Sequence, residues 1–205
     1  MSKSAEAVYS CAQAADELKN WELEFPPEVM MGIIVCGMNG SGKSTLGRVL
    51  AETLGWRFID NEDLYFPKAD PAQPYAVERT QDEVEQLLLA EVRRDDRFVF
   101  AAVRGNYGEA VLPYYEAAVL LEVPRETRLQ RIRERSYRKF GERMQPGGDL
   151  YESEKRFYDL IAARPEDYAV RWLEAVEIPV LHLDGTRPVG ENIARITEWL
   201  GRERT

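Results

Sequence analysis

The chain is 205 residues long, 44% hydrophobic and 31% charged, with a formal net charge of -9, which suits one α/β domain with a sizeable core. No apolar run approaches the roughly 18 residues that span a bilayer, and the first residues lack the apolar core of a secretory signal. The acidic balance disfavours general affinity for nucleic acid or anionic membranes. The expectation is a cytoplasmic protein, monomer or homodimer, with no nucleic-acid or membrane partner.

Residues 1–29 read as an extension, an amphipathic helix (Val8, Cys11, Ala15, Leu18) followed by the linker-like Glu24-Phe25-Pro26-Pro27. A β-branched run, Met31 to Cys36, predicts the first strand, with Cys36 a buried reduced thiol. The two cysteines are too few for a disulfide framework.

Gly37-Met38-Asn39-Gly40-Ser41-Gly42-Lys43-Ser44 then matches G-x-x-x-x-G-K-[ST] at every fixed position, and Thr45, Leu46, Val49, Leu50 and Leu54 continue it as a helix. Such a loop turns its backbone N–H groups inward around phosphates, and the helix N-terminus adds partial positive charge. The pattern points to a nucleoside triphosphate, with Lys43 at the β- and γ-phosphates, Ser44 on Mg²⁺ and Thr45 near the α-phosphate.

Gly55 ends this helix and Trp56 to Asp60 forms a second strand. Asp60 stands at the strand's C-terminal end, where open parallel sheets bind their ligands. It is a candidate base or magnesium anchor, with Glu62 and Asp63 as rivals for the base. Residues 64–78 are Pro-rich and irregular; a helix over 80–94 follows, with Val84, Leu87, Leu88 and Val92 on its buried side.

Arg97 to Val103 predicts a third strand, ending in Arg104-Gly105-Asn106-Tyr107-Gly108 and carrying no terminal acid, which leaves Asp60 the second magnesium carboxylate. Arg104 is a candidate for holding an anionic acceptor and Tyr107 for stacking on it; Arg143, Arg156, Arg164 and Arg171 are further arginines of this kind. Ala117 to Val123 predicts a fourth strand, and Pro124 opens a long basic helix.

Between Arg125 and Arg143 eight Lys or Arg stand against three Asp or Glu. Arg128, Arg131, Arg135 and Arg138, spaced 3, 4 and 3, share one helix face and form either a guanidinium row for phosphate or a solvated charged face. The loop GERMQPGGD, helices over 151–163 and 165–176, a fifth strand over 178–183 and a last helix over 189–201 complete the chain. Alternating strands and helices predict a parallel sheet with right-handed crossovers. His182, the only histidine, reads as a packed or surface residue.

Three segments carry a family resemblance. GMNGSGKSTLGRVLAETLGWRFIDNEDL, with Phe58-x-Asp60-x-Glu62, resembles the substrate segment of shikimate and gluconate kinases. Arg131-Ile132-Arg133-Glu134-Arg135 is similar to the lid entrance of adenylate kinases. Leu183-Asp184-Gly185-Thr186-Arg187-Pro188-Val189 resembles the loop whose backbone holds adenine there.

The nucleoside-monophosphate and shikimate kinase group therefore implies a three-layer α/β phosphate-loop fold over 30–205, a five-stranded parallel sheet and an arginine-bearing helical lid at about 135–151. It implies an ATP- and Mg²⁺-dependent kinase acting on a small molecule, with Arg131 and Arg135 as lid arginines and Gly185 to Val189 at the nucleotide base. The N-K-x-D and L-S-G-G-Q signatures of other phosphate-loop classes are missing. The acceptor segment matches no member cleanly: a nucleotide, nucleoside, sugar acid or shikimate-like alcohol all fit. The alternative is a regulatory protein that binds or slowly hydrolyses ATP without an acceptor.

Overall fold

A computed structural model describes residues 31–67, 78–95 and 97–202. The expected N-terminal helix, the boundary near residue 30 and most of the Pro-rich stretch lie outside the described residues.

β1 (Met31–Cys36) is the middle strand of a parallel sheet ordered β2-β3-β1-β4-β5, the others being β2 (Arg57–Asp60), β3 (Arg97–Ala102), β4 (Tyr115–Glu122) and β5 (Val180–Asp184). A continuous apolar run suits this place, because a parallel sheet covered on both faces buries every side chain of its central strand. Ile33, Ile34, Val35 and Cys36 are all buried, and their alternation divides them between two layers.

Ile33 and Val35 join Leu46, Leu50 and Leu54 of α1 (Lys43–Leu54) and Ile193, Ile196 and Leu200 of α7 (Val189–Arg202). Ile34 and Cys36 join Val84, Leu88 and Val92 of α3 (Gln81–Arg94), with Tyr115, Trp172 and Leu173. Each fully buried Leu or Val contributes about 1.5–3 kcal/mol. The three-layer architecture follows from this alternation.

The remaining helices are α2 (Asn61–Tyr65), α4 (Arg125–Phe140), α5 (Tyr151–Ala163) and the short α6 (Val170–Leu173). α3 starts with a capping box, Thr80 and Glu83 each accepting the other's backbone N–H. α1 ends at Gly55, whose left-handed φ of 68° lets its N–H reach back to Ala51 and Glu52.

Three expectations are corrected. Leu87 is 37% exposed, because the buried stripe of α3 is Val84, Leu88 and Val92. The helix expected over 165–176 shrinks to Val170–Leu173 among turns: Pro165 forces Arg164 into an extended conformation that ends α5. β5 starts at Val180 rather than Ile178, since Pro179 has no N–H to give and only its carbonyl accepts, from Ala118. His182 is an exposed residue of β5, 3.3 Å from Glu122, in keeping with its surface reading.

Gly32 is where β1 meets its neighbours most closely. A Cβ there would sit 2.1 Å from the Tyr114 carbonyl and 2.3 Å from the Phe98 ring. Gly32→Ala is expected to lower unfolding free energy by about 1–3 kcal/mol, read from urea denaturation; wild-type stability would contradict this close approach.

Candidate active site

The loop leaving β1 turns at Met38 to Ser41, where the Ser41 N–H donates to the Met38 carbonyl over 3.1 Å. Gly40 has φ +80° and a Cβ there would lie 2.4 Å from the Arg128 carbonyl, so left-handed conformation and close backbone approach both demand glycine. Gly42, φ +98°, is the N-cap of α1 and offers no side-chain oxygen; the first turn holds no acid.

The leading N–H groups of α1 are thus left without a side-chain cap, where an anion is favoured. The buried Ser41 hydroxyl also has no hydrogen-bond partner among the described residues. A phosphate chain fits both vacancies in the bonding pattern.

Lys43 opens α1 half-buried. Burial pushes its ammonium down to about 8; Asp60 and Glu62 act against that shift, and Arg135 adds to it. The charges of Asp60, Glu62 and Arg135 are thus all felt at Lys43. Burial also pushes the Cys36 thiol upward, so it stays protonated.

Asp60 ends β2 and caps α2, accepting the Glu62 N–H at 3.0 Å. One carboxylate oxygen is committed to this bond. Glu62 and Asp63 both stand exposed in the first turn of α2, and of the two only Glu62 bears on Lys43.

The arginine row of α4 divides by depth. Arg128, 2% exposed, donates to Glu166 at 2.6 Å, to the Val123 carbonyl at 3.0 Å and to the Asn39 carbonyl at 3.5 Å. It braces the loop's crest. Arg131 donates from one nitrogen to the Ser41 carbonyl at 3.3 Å and the Gly185 carbonyl at 3.2 Å, which joins the phosphate loop to the turn after β5. Arg135, a turn further on, is exposed with its charge on Lys43. Arg138 is exposed near the helix end.

In the turn after β5, Asp184 accepts from the Thr186 N–H at 2.8 Å and its hydroxyl at 2.6 Å. The Thr186 hydroxyl foremost, then its N–H and the Arg187 charge, hold the Asp184 carboxyl below the usual range. Arg187 pairs with Glu191 at 3.3 Å. Gly185 is pressed against Val123, 2.5 Å from a would-be Cβ, while Pro188 and Val189 lead into α7. The turn is rigid through its own bonds.

Beyond β3 the residues proposed for the acceptor part company. Arg104 lies 4.1 Å over the Tyr168 ring, and Arg164 lies 4.9 Å from the same ring. Arg164 also donates to the Asn39 side chain at 2.7 Å. Tyr107 is 5% exposed, edge-on to Phe100 at 5.4 Å, with its hydroxyl on Asn61; this is a core position rather than an open stacking platform.

Arg143 is drawn to Asp149, at 3.0 and 2.7 Å, inside the turn between α4 and α5. It is not brought to Lys43. Tyr168 and Glu166 escaped the sequence reading, since no spacing links them to the loop at 37–44; Pro165, which ends α5 beside them, is the one local signal.

No helix among the described residues is long and apolar enough to cross a membrane. A family model described as an AAA domain matches residues 33–156. The uncharacterized protein YqaC of Bacillus subtilis is 25% identical over 176 residues, 82% of this chain and 96% of that protein. The shikimate kinase of Thermosynechococcus vestitus is 31% identical over 149 residues, 69% of this chain and 78% of that enzyme.

Among solved structures, the shikimate kinase from Acinetobacter baumannii in complex with shikimate aligns with a TM-score of 0.54 at 21% identity, covering 92% of this chain and 98% of that one; it supports the fold. The phosphate loop, the five-stranded parallel sheet and these matches together make the chain a member of the AAA domain family, among its phosphate-loop small-molecule kinases.

Proposed function

We propose that the protein transfers the γ-phosphoryl group of ATP to a small-molecule acceptor. The observation that carries this reading is the N-terminus of α1, which opens on Lys43 behind a loop of positive-φ glycines and has neither a side-chain cap nor an acid in its first turn. The kinase relatives support the same reading.

Lys43 and the N–H groups of residues 40–45 bind the phosphates, and anion binding compensates the charge that burial disfavours on Lys43. Arg131 bridges the phosphate loop and the turn from Gly185 to Val189, which lies against the nucleoside. Arg135 offsets charge developing on the moving phosphoryl group. Asp60 orients or deprotonates the acceptor hydroxyl, and Glu62 is its neighbour on the acceptor side.

Ser44 and Asp60 would hold Mg²⁺, whose charge neutralises the phosphate oxygens. The described residues contain no group of three or more acidic, His or Cys side chains to cage a metal, which suits an ion taking most of its ligands from phosphate and water. Arg104 binds an anionic group of the acceptor. It stands with Arg164 on one ring, and among the described residues neither pairs with a carboxylate. Two like charges so placed favour an anion between or beside them.

A coupled assay of ATP consumption over nucleotides, nucleosides, sugar acids and shikimate-like alcohols tests the reading. One acceptor should raise turnover well above the basal rate; binding of ATP with indifference to every acceptor would show a sensor instead. Lys43→Ala is expected to lower turnover by about 10²–10³-fold with the melting temperature kept, since the half-buried Lys43 belongs to neither core cluster.

Asp60→Asn separates two roles of one side chain. Asparagine caps a helix as well as aspartate, so α2 should survive and ATP binding should stay measurable while turnover falls. Full turnover would pass the role to Glu62.

Arg135→Ala should lower kcat more than it weakens ATP binding, because its charge matters most as the phosphoryl group moves. Equal losses in both would return Arg135 to the solvated face of α4.

A further inference from the structure

Three arginines reach the phosphate loop. Two belong to α4: Arg128 and Arg131 hold the carbonyls of Asn39 and Ser41. Each is also fastened elsewhere, Arg128 to Glu166 and Val123 and Arg131 to Gly185. The third arrives from the end of α5. Arg164 grips the Asn39 side chain, its Nη1 2.7 Å from Oδ1.

The direction of Arg164 is set locally. Pro165 keeps it extended, φ -67° and ψ 132°, and the Tyr168 N–H closes the following turn on the Pro165 carbonyl at 3.2 Å. That turn places the Tyr168 ring 4.9 Å from the Arg164 guanidinium and 4.1 Å from that of Arg104. Two contacts on opposite sides therefore converge in one side chain: the crest of the phosphate loop, and a ring shared with the end of β3.

We propose that Arg164 is a positioning residue that couples the acceptor side of the site to the phosphate loop, holding Asn39 in place while stacked on the ring that Arg104 also uses. The inference rests on the phosphotransferase reading above. A loop held in its binding conformation pays less ordering entropy when the triphosphate arrives. Any acceptor that draws Arg104 or shifts Tyr168 moves Arg164 and through it Asn39, and nucleotide binding acts back on the acceptor by the same factor.

The test needs no acceptor. Affinity for the nonhydrolysable analogue AMP-PNP with Mg²⁺ is measured by calorimetry for wild type, Asn39→Ala, Arg164→Ala and the double variant, with unliganded melting temperatures alongside. Each single change should weaken binding about threefold to tenfold, and the double change no more than the worse single one, because both remove the same tether.

Tyr168→Leu, which leaves every phosphate-loop contact in place, should weaken binding at least about twofold in wild type and not at all in the Arg164→Ala background. Losses that multiply in the double variant overturn the proposal, as does unchanged affinity in Asn39→Ala, a loop substitution that keeps the fold should Arg164→Ala not. Lys43→Ala separates the two readings. If it too leaves affinity unchanged, the phosphate-loop reading fails; if it alone weakens binding, only the coupling fails.

Discussion

The N-terminus of α1 is the constraint from which the rest of the site follows. A helix start leaves four backbone donors unsatisfied, and the chain satisfies this need elsewhere, with Thr80 and Glu83 at α3 and Asp60 at α2. At α1 it supplies Gly42 and no acid. That choice costs only roughly a few tenths of a kcal/mol of capping energy and leaves the donors without a side-chain partner. Placing it at the end of β1 fixes its position, because the strand is buried on both faces and paired on both edges.

A loop carrying three glycines needs bracing if its donors are to stay aligned, and arginine provides it in graded depth. Arg128 is nearly fully buried and can remain charged because Glu166, Val123 and Asn39 take its donors. Its loss would release the Val123 and Asn39 carbonyls and leave Glu166 paired, among the described residues, with Arg125 alone. Arg131, half-buried, spends one nitrogen on two carbonyls. Arg135 is exposed and acts at a distance on Lys43. One helix thus passes from a buried arginine to an exposed one over two turns.

The sequence made legible what depends on local chemistry. Fixed glycine and lysine positions identified the phosphate loop, β-branched runs identified the strands, and Gly55 marked the end of α1. Asp60 was found because a strand's C-terminal end has functional meaning in a parallel sheet.

What stayed hidden depends on contacts between distant segments. The 3-4-3 spacing put four arginines on one face but could not say which of them the loop would cover, so Arg128 looked no different from Arg138. Arg164 meets Asn39 across 125 positions, a pairing no period encodes. Tyr107 was offered to the substrate on its strand-end position, yet Phe100 and Asn61 hold it in the core. Arg143 found a partner six residues away, in Asp149, inside the turn that its glycines allow.

Asp60 shows how structural and chemical duties constrain each other. One of its oxygens receives the Glu62 N–H, so the carboxylate cannot rotate freely without uncapping α2. Its charge is therefore held at a fixed bearing on Lys43, and Glu62, whose backbone makes the bond, is held with it. A carboxylate that caps a helix has already given up that rotational entropy in folding. The bearing of Asp60 and the start of α2 are thus set by a single hydrogen bond.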